Sequence, residues 1–335
     1  MTNSNKRPKI GLALSGASGR AIAHIGVVEV LREHNIPIDC ITACSSGTIV
    51  AASYACATLD ALKETLLQLN RQSLFHLLNL EKDGTGIFNL EKMEQDIKKY
   101  TLGKKFEDVK PMLSFVACDI NTGEGVGLQW GDLARACRIS CSMPALFSPV
   151  RWGNRVLVDG GVFSLVPVDQ AREMGADIVI GVDIAATRYA FKKRYIHVWR
   201  GYNFIKKSFL FKLGKRIFSL FGRVYESSID LIYYHQSDFI DEELAESRPD
   251  LFTVLGRAMQ IASERHKKGE LPVCDIMLAP DVKHLGKIEF QKSKQIYYEG
   301  RRVALEAIPQ IEKLIKNFKP KTEAIIKKDI VGAVN

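Results

Sequence analysis

Short apolar runs alternate along this chain with stretches that repeat apolar residues at helical spacing. The first run, Ile10–Leu14, leads through a small-residue turn into a helical pattern that continues to about His34. The second run, Cys40–Ala43, meets a tight turn at Ser45 and a helical pattern from about Thr48 to Thr58. Uninterrupted apolar runs of this length are typical of buried strands. Strand, turn and helix, repeated twice, predict parallel βαβ construction.

The same alternation continues over the rest of the chain. Further strands are predicted at Met112–Asp119, Arg155–Val158, Ile178–Asp183 and Asp275–Ala279. Helices are predicted at about 60–69, from about 89, and at about 133–142, 224–235, 251–267 and 293–317. We find no internal repeat and no linker long enough to separate two domains. The simplest account is one α/β domain over residues 9–285, followed by a C-terminal helix and basic tail over 286–335.

The overall composition is that of a globular protein. Of the 335 residues, 46% are hydrophobic and 25% charged, which excludes an intrinsically disordered or collagen-like chain. The seven cysteines form no CxxC pair, so we expect reduced thiols rather than zinc ligands or disulfides. The polar, basic start of the chain predicts no signal peptide, and no apolar run approaches the ~20 residues that span a bilayer. We therefore expect a cytoplasmic protein without a transmembrane helix.

The net charge of +9 comes from one segment of the chain. Residues 188–223, predicted as an insertion in the domain, contain eleven Lys or Arg, no Asp or Glu, and ten of the 29 aromatic residues. Basic amphipathic segments of this kind suit an anionic membrane surface, which would place the protein on the inner face of the membrane. The alternative is a solvated insertion whose aromatic residues pack on the domain. Nucleic acid would also be attracted, but no nucleic-acid-binding motif is present, so we expect no such partner.

Ser45 is the first candidate for chemistry. It follows an apolar strand within Ala43-Cys44-Ser45-Ser46-Gly47, where small residues flank a sharp turn into a helix. This pattern resembles the nucleophile elbow G-x-S-x-G, in which a strained turn exposes the serine Oγ at the edge of the sheet. Ala43 adds one methyl group where glycine is usual, whereas Gly47 fits the motif. The alternative is that Ser45 or Ser46 only caps the helix.

The turn Ser15-Gly16-Ala17-Ser18-Gly19-Arg20 is the second candidate. It lies between a strand and a helix N-terminus, where several backbone N–H groups have no partner within the helix. Such donors suit a phosphate or the oxyanion of a tetrahedral acyl intermediate. A dinucleotide-binding loop would need glycines where this chain has Ser18 and Ala21, so that interpretation is poor. An ordinary tight turn between strand and helix remains the alternative.

Asp159 is the third candidate. Together with Gly160 and Gly161 it directly follows the predicted strand Arg155–Val158. This order puts a carboxylate at the carboxyl edge of the sheet, where α/β proteins build their sites. The alternative is an Asx-turn, which is common for Asp-Gly.

Taken together, the three candidates form the parts of an acyl-transfer site. An elbow serine, a loop of backbone donors and a carboxylate at the end of a later strand are all present. A histidine that completes a Ser-Asp-His order is not obvious. His24 belongs to the first helix, where we expect it to pack, and His284 is the one position that could serve a triad.

Four segments in this order resemble the patatin-like phospholipases. They are LSGASGRAIAHIGVVEVL (Leu14–Leu31), ITACSSGTIVAA (Ile41–Ala52), ISCSMPALFSPV (Ile139–Val150) and VLVDGGVFSLVPV (Val156–Val168). The resemblance runs from about Lys9 to Asp183 and returns weakly near Cys274–Pro280. It implies a three-layer α/β/α fold with a mostly parallel central sheet and a serine lipid acyl hydrolase that uses a Ser-Asp dyad.

The resemblance also implies a role for each motif. Ser45 would be the nucleophile and Asp159 the base, with an oxyanion hole from backbone N–H groups of Gly16, Ala17, Ser18 and Gly19, supported by Arg20. The substrate would be a lipid acyl ester, and no metal or organic cofactor is implied. Ala17, Ser18, Ala21 and Ala43 stand where the family usually has glycine, which penalises any of these positions that needs a positive φ. A catalytically weakened, lipid- or membrane-binding regulatory protein of the same fold is therefore the alternative.

Overall fold

The computed structural model describes residues 7–69, 78–80, 87–119, 124–144, 146–185, 274–282 and 292–318. The chain divides into two compact units, residues 1–81, 85–186 and 259–335 in the first and residues 82–84 and 187–258 in the second. All described residues belong to the first unit. The predicted helices at 224–235 and 251–267, the basic segment 188–223, His284 and the tail after Pro320 lie outside the described residues. The domain bounds 9–285 and 286–335 stay a prediction.

The described core is built on one central sheet. Its strands are β1 (Ile10–Leu14), β2 (Cys40–Cys44), β5 (Met112–Asp119), β6 (Gly125–Leu128), β7 (Val150–Trp152), β8 (Arg155–Asp159), β9 (Ile178–Val182) and β10 (Ile276–Leu278). They follow the order β10-β9-β1-β2-β5-β8-β7, and β6 also pairs with β5. A separate two-stranded sheet pairs β3 (Asn79–Leu80) with β4 (Phe88–Asn89).

The sheet is mostly parallel, as predicted. Strands β10, β9, β1, β2 and β5 pair in parallel, whereas β6 and β8 run antiparallel to β5 and β7 runs antiparallel to β8. The predicted strands at Met112–Asp119 and Ile178–Asp183 agree with β5 and β9 to within one residue. The prediction missed β6 and β7, because these strands are short and only one residue of each is fully buried.

Seven α-helices flank the sheet within the described residues. They are α1 (Ile22–Glu33), α2 (Ser46–Ala55), α3 (Leu59–Gln68), α4 (Glu91–Thr101), α5 (Leu133–Ser140), α6 (Val168–Glu173) and α7 (Ser293–Lys316). A 3-10 turn, Ser18–Ala21, precedes α1. None of the helices in the described ranges is long and apolar enough to cross a membrane.

Apolar layers on both faces of the sheet explain why every residue of β1, β2 and β9 is buried. Along β1, Leu12 and Leu14 belong to the larger apolar cluster, which contains α1, α2 and α7. The intervening Ala13 belongs to a smaller cluster with Val168 and Ala171 of α6. Because successive side chains of a strand point to opposite faces, this alternation places helices on both sides. The three-layer α/β/α prediction is confirmed.

Candidate active site

Two strands of opposite direction meet along one edge of β5. Strand β2 pairs in parallel with residues 112–116 of β5, and Cys44 lies opposite Val116. Strand β8 pairs antiparallel with residues 117–119, and Asp159 lies opposite Ala117. Strand β6 occupies the other edge of β5 over residues 115–118, so β2 and β8 share the same edge. They therefore end at adjacent positions, which brings the predicted nucleophile and the predicted carboxylate together.

The Ser45 hydroxyl donates a hydrogen bond to the Asp159 carboxylate. The distance from Ser45 Oγ to Asp159 Oδ2 is 2.7 Å, although the residues are 114 positions apart. The other carboxylate oxygen, Oδ1, accepts a hydrogen bond from the amide of Gly161 at 2.7 Å. Asp159 is 3% exposed and Ser45 is half-buried. The Asx-turn alternative is thus also present, but it uses one carboxylate oxygen and leaves the second for the serine.

Ser45 adopts the strained backbone of a sharp elbow. Its φ is 51° and its ψ is −131°, a region that residues with a Cβ rarely adopt. Its side chain makes no capping hydrogen bond to α2, so the capping alternative for Ser45 is wrong. The Ser45 amide donates to Ser140 Oγ at 2.8 Å, and Ser140 Oγ donates to the carbonyl of Val116 at 2.6 Å. Ser140 thus accepts a hydrogen bond from the backbone N–H of Ser45, which would otherwise have no partner at the elbow.

Close approaches around the elbow require glycine at three positions. A Cβ on Gly16 would lie 2.4 Å from Ser45 Cβ, and one on Gly47 would lie 2.7 Å from the carbonyl oxygen of Ser15. A Cβ on Gly160 would lie 2.2 Å from the carbonyl oxygen of Val116. Each of these contacts pairs a motif glycine with another part of the site. The first two motifs are therefore packed directly against each other, and the third is packed against β5.

The loop predicted to hold an oxyanion lies beside the elbow, and one of its donors already has a partner. The amide of Ala17 donates to Ser46 Oγ at 3.2 Å. This bond ties the loop to the first residue of α2, and it narrows the predicted set of donors to Gly16, Ser18 and Gly19. The amides of Ser18 and Gly19 open the 3-10 turn Ser18–Ala21, where N–H groups have no acceptor within the turn.

Only one of the four positions that replace family glycines carries backbone strain. Ser18 has a φ of 54°, in the left-handed region that favours glycine. Ala17 has an extended backbone with a φ of −165°, and Ala21 is helical with a φ of −56°. Ala43 lies inside β2, fully buried. The conformational penalty expected where glycine is replaced therefore applies to Ser18 alone.

Two buried polar side chains, Arg20 and His24, support the donor loop. Arg20, 3% exposed, donates from Nη1 to the carbonyl of Ile184 at 3.4 Å. His24 is fully buried, and its Nε2 lies 2.7 Å from the carbonyl oxygen of Ser15. Burial lowers the pKa of His24 to about 4, against the raising effects of the Ser15 carbonyl and the Asp183 charge. The prediction that His24 packs inside the fold is confirmed.

Two thiols lie next to the dyad, and both are held in the protonated form. Cys44 Sγ lies 3.9 Å from Asp159 Oδ1, and burial, with the charge of Asp159, raises its pKa well above the usual value. Burial and the same charge raise the pKa of Cys141 as well. A thiol becomes a strong nucleophile only as the thiolate. The electrostatics of the site therefore disfavour cysteine chemistry beside Ser45.

Sequence reasoning missed Ser140 and Ser46 as supports of the site. Ser140 lies in the segment Ile139–Val150, for which the family resemblance implies no role for any single residue. The sequence suggests no role for Ser46 beyond that of a helix cap. Neither role has a local sequence signal, because each depends on a contact with a distant element.

Comparisons with known proteins show what the chain is similar to. A family model described as patatin-like phospholipase matches residues 12–172, which include Ser45, Asp159 and the predicted donor loop at residues 16–20. An uncharacterized NTE family protein of Mycobacterium tuberculosis is 29% identical over 177 residues, which cover 53% of this chain and 49% of that protein. Human patatin-like phospholipase domain-containing protein 6 is 28% identical over 184 residues, 53% of this chain and 13% of that protein.

A further relative and one solved structure are also similar to this chain. Lysophospholipase NTE1 of Debaryomyces hansenii is 27% identical over 188 residues, 53% of this chain and 12% of that protein. Among solved structures, VipD from Legionella pneumophila aligns with a TM-score of 0.43 and 13% identity over 92% of this chain and 68% of that chain, a similarity too low to carry an argument. The chain spans about half the length of the mycobacterial relatives it matches. Over residues 12–172, the chain is similar to the patatin-like phospholipases.

Proposed function

We propose that this protein is a serine lipid acyl hydrolase that uses Ser45 and Asp159 as a catalytic dyad. The observation that carries the proposal is the 2.7 Å hydrogen bond from Ser45 Oγ to Asp159 Oδ2 at a strained elbow. A nucleophile and base within hydrogen-bond reach, with the base held by a further contact, are the signature of an activated serine. Gly161 supplies that further contact to Asp159.

The reaction follows from this arrangement. Ser45 Oγ attacks the acyl carbonyl carbon while its proton passes to Asp159 Oδ2, and the carbonyl π electrons move to the oxygen. Amides of Gly16, Ser18 and Gly19 stabilise that oxyanion. The tetrahedral intermediate collapses and expels the lipid alcohol, which takes the proton from Asp159. Water then attacks the acyl-enzyme and gives its proton to Asp159. The second collapse releases the fatty acid and returns the proton to Ser45 Oγ. Carboxylates are weak bases for a hydroxyl, so the scheme depends on the near-complete burial of Asp159 and on oxyanion donors, each contributing about 3–4 kcal/mol.

The substrate class follows from the family rather than from a cavity. Relatives are named phospholipases and lysophospholipases, which supports a lipid acyl ester, such as a phospholipid or lysophospholipid, as the substrate. An ester held in a bilayer also gives the basic segment 188–223 a function, namely contact with an anionic membrane surface on the cytoplasmic side.

The second candidate function is a catalytically weakened regulator that binds lipid through the same fold. Two observations favour it over a fully active enzyme. Ser18 carries left-handed strain in the donor loop, and the Ala17 amide is already occupied by Ser46. Both features would weaken oxyanion stabilisation without removing the dyad.

The test is ester turnover by the wild type and by matched variants. We expect hydrolysis of p-nitrophenyl acyl esters and of lysophospholipid, lost in Ser45→Ala and reduced at least about 100-fold in Asp159→Asn, which removes the base. Ser53→Ala is the matched control, because Ser53 lies in α2, the helix that follows Ser45, and its hydroxyl donates to the carbonyl of Ile49. A wild type without turnover that binds anionic vesicles would support the regulator instead. Turnover equal in Ser45→Ala and wild type would reject the dyad.

A further inference from the structure

His24 holds the carbonyl of the peptide that leads into the donor loop. Its Nε2 lies 2.7 Å from the carbonyl oxygen of Ser15, at full burial. A carbonyl oxygen can only accept, so Nε2 carries the hydrogen and the imidazole acts as donor. The other ring nitrogen, Nδ1, is buried without a hydrogen-bond partner among the described residues. A proton on Nδ1 would therefore be buried without an acceptor, so Nδ1 is unprotonated. The histidine is neutral and fixed in one tautomer.

The other groups of Ser15 are also held. Its amide donates to the carbonyl of Val182 at 3.1 Å, and its Oγ accepts from the amide of Ile184 at 2.9 Å. The start of α2 closes the remaining side, because a Cβ on Gly47 would lie 2.7 Å from the Ser15 carbonyl oxygen. Ser15 is fully buried. The orientation of its carbonyl is thus set by contacts on several sides, of which His24 supplies the hydrogen bond.

The Ser15 carbonyl and the Gly16 N–H belong to one peptide group. A trans peptide is planar, and its C=O and N–H point in opposite directions. A hydrogen bond that fixes the Ser15 carbonyl on the His24 side therefore fixes the Gly16 N–H on the opposite side. Gly16 itself lies against the nucleophile, since a Cβ there would lie 3.2 Å from Ser45 Oγ. Hydrogen bonding to the carbonyl also polarises the N–H of the same peptide group and strengthens it as a donor.

We propose that His24 is a positioning residue of the oxyanion hole, which aims and strengthens the Gly16 N–H through the Ser15–Gly16 peptide. This inference rests on the proposed function and adds to it a buried residue that touches neither substrate nor nucleophile. It implies that the loss of the imidazole donor reduces the stabilisation of the transition state more than it reduces the affinity for substrate.

The experiment compares donor and non-donor side chains at this position. In His24→Phe and His24→Met the donor is absent, whereas His24→Gln keeps an N–H near the place of Nε2. We expect kcat to fall about 10- to 100-fold in the first two variants with KM within about 3-fold of wild type, and to recover to within about 3-fold of wild type in His24→Gln. Ile25→Val, a buried change in the same helix, controls for loss of packing and should leave kcat unchanged.

A second readout separates positioning from a structural role. An alkyl trifluoromethyl ketone adds to an active serine and leaves an oxyanion, so its inhibition constant should rise in the donor-less variants by the same factor as kcat falls. Equal kcat in wild type, His24→Phe and His24→Met, or an inhibition constant that does not follow kcat, overturns the role of His24 while the dyad stands. A wild type inert to esters and to the ketone overturns the dyad, and the role of His24 with it.

Discussion

Cys44 and Asp159 lie opposite consecutive residues of β5, although they end two strands that run in opposite directions. Cys44 pairs with Val116 and Asp159 pairs with Ala117, on the same edge of that strand. The residue that follows Cys44 is Ser45, so the register of two strands on β5 sets the length of the dyad hydrogen bond. A slip of one residue in either strand would move the pair by about 3.3 Å and break the bond.

This dependence on register makes Gly160→Ala a sharp test of the geometry. A Cβ at this position would lie 2.2 Å from the backbone carbonyl oxygen of Val116, so β8 must shift relative to β5. We expect kcat for ester hydrolysis to fall at least about 100-fold, because displacement of a catalytic group by about 1 Å has effects of that size. Gly153→Ala is the control in the β7–β8 turn. Its Cβ would meet open space, and only the positive φ of 60° opposes it. Similar kcat values in both variants would contradict the account.

Ser18→Gly tests whether strain in the donor loop limits the enzyme. Glycine removes the left-handed penalty at φ 54°, and after its own entropic cost we expect a net gain of about 0.5–1 kcal/mol in the free energy of unfolding. We expect kcat to stay within about 3-fold of wild type, since the amide donor remains. Urea denaturation and ester kinetics measure the two quantities.

A matched variant and a contrary outcome complete this test. Ala17→Gly lies at an extended φ of −165°, so glycine relieves nothing there and should lower stability by roughly 0.5–1 kcal/mol. A rise in kcat of more than about 10-fold in Ser18→Gly would show that the loop is catalytically impaired in the wild type, which is the regulator alternative.

The crossing of α1 and α7 depends on a glycine that helix propensity alone would not favour. A Cβ on Gly300 would lie 2.0 Å from the backbone carbonyl oxygen of Ala23. Propensity predicts a gain of about 1 kcal/mol for Gly300→Ala, but the clash should outweigh it and give a net loss of about 1–3 kcal/mol. Thermal unfolding should therefore show a lower Tm for Gly300→Ala and an unchanged Tm for Lys294→Ala, an exposed position on the same helix. A higher Tm for Gly300→Ala would mean that the helices do not cross as described.

The buried histidine should make the fold sensitive to acid. The pKa of His24 falls from 6.5 to about 4 because burial disfavours the charged form. Between these values the unfolded chain binds more protons than the folded chain, so stability is lost as the pH falls from about 6.5 to about 4. The loss from this one group should approach about 3 kcal/mol below pH 4.

The pH effect is measured as the difference in unfolding free energy between wild type and His24→Gln. Glutamine does not titrate, so the wild type should lose stability relative to this variant as the solution is acidified. Urea denaturation at pH 7, 5.5 and 4 gives the difference. If the unfolding free energies of the two proteins change equally with pH, His24 titrates normally and lies at the surface.

The parts of the site could be predicted from the sequence, but their supports could not. Fully buried strands such as β1 and β9 are marked by uninterrupted apolar runs, and the sharp turns at Ser45 and Asp159 by small residues beside them. Strands β6 and β7 carry no such pattern, because each has only one fully buried residue. The hydrogen bonds that hold the elbow and the loop join elements far apart in the chain. Ser140 and Ser46 therefore gave no local signal of their roles.

Covalent labelling of the wild-type chain with a fluorophosphonate tests the central claim most directly. The reagent phosphonylates an activated serine, and peptide mass mapping locates the adduct. We expect one adduct per chain, on Ser45, none on that peptide in Ser45→Ala, and labelling slowed at least about 100-fold in Asp159→Asn. An adduct on another residue, or labelling of Ser45 at the same rate without the Asp159 carboxylate, would contradict the dyad.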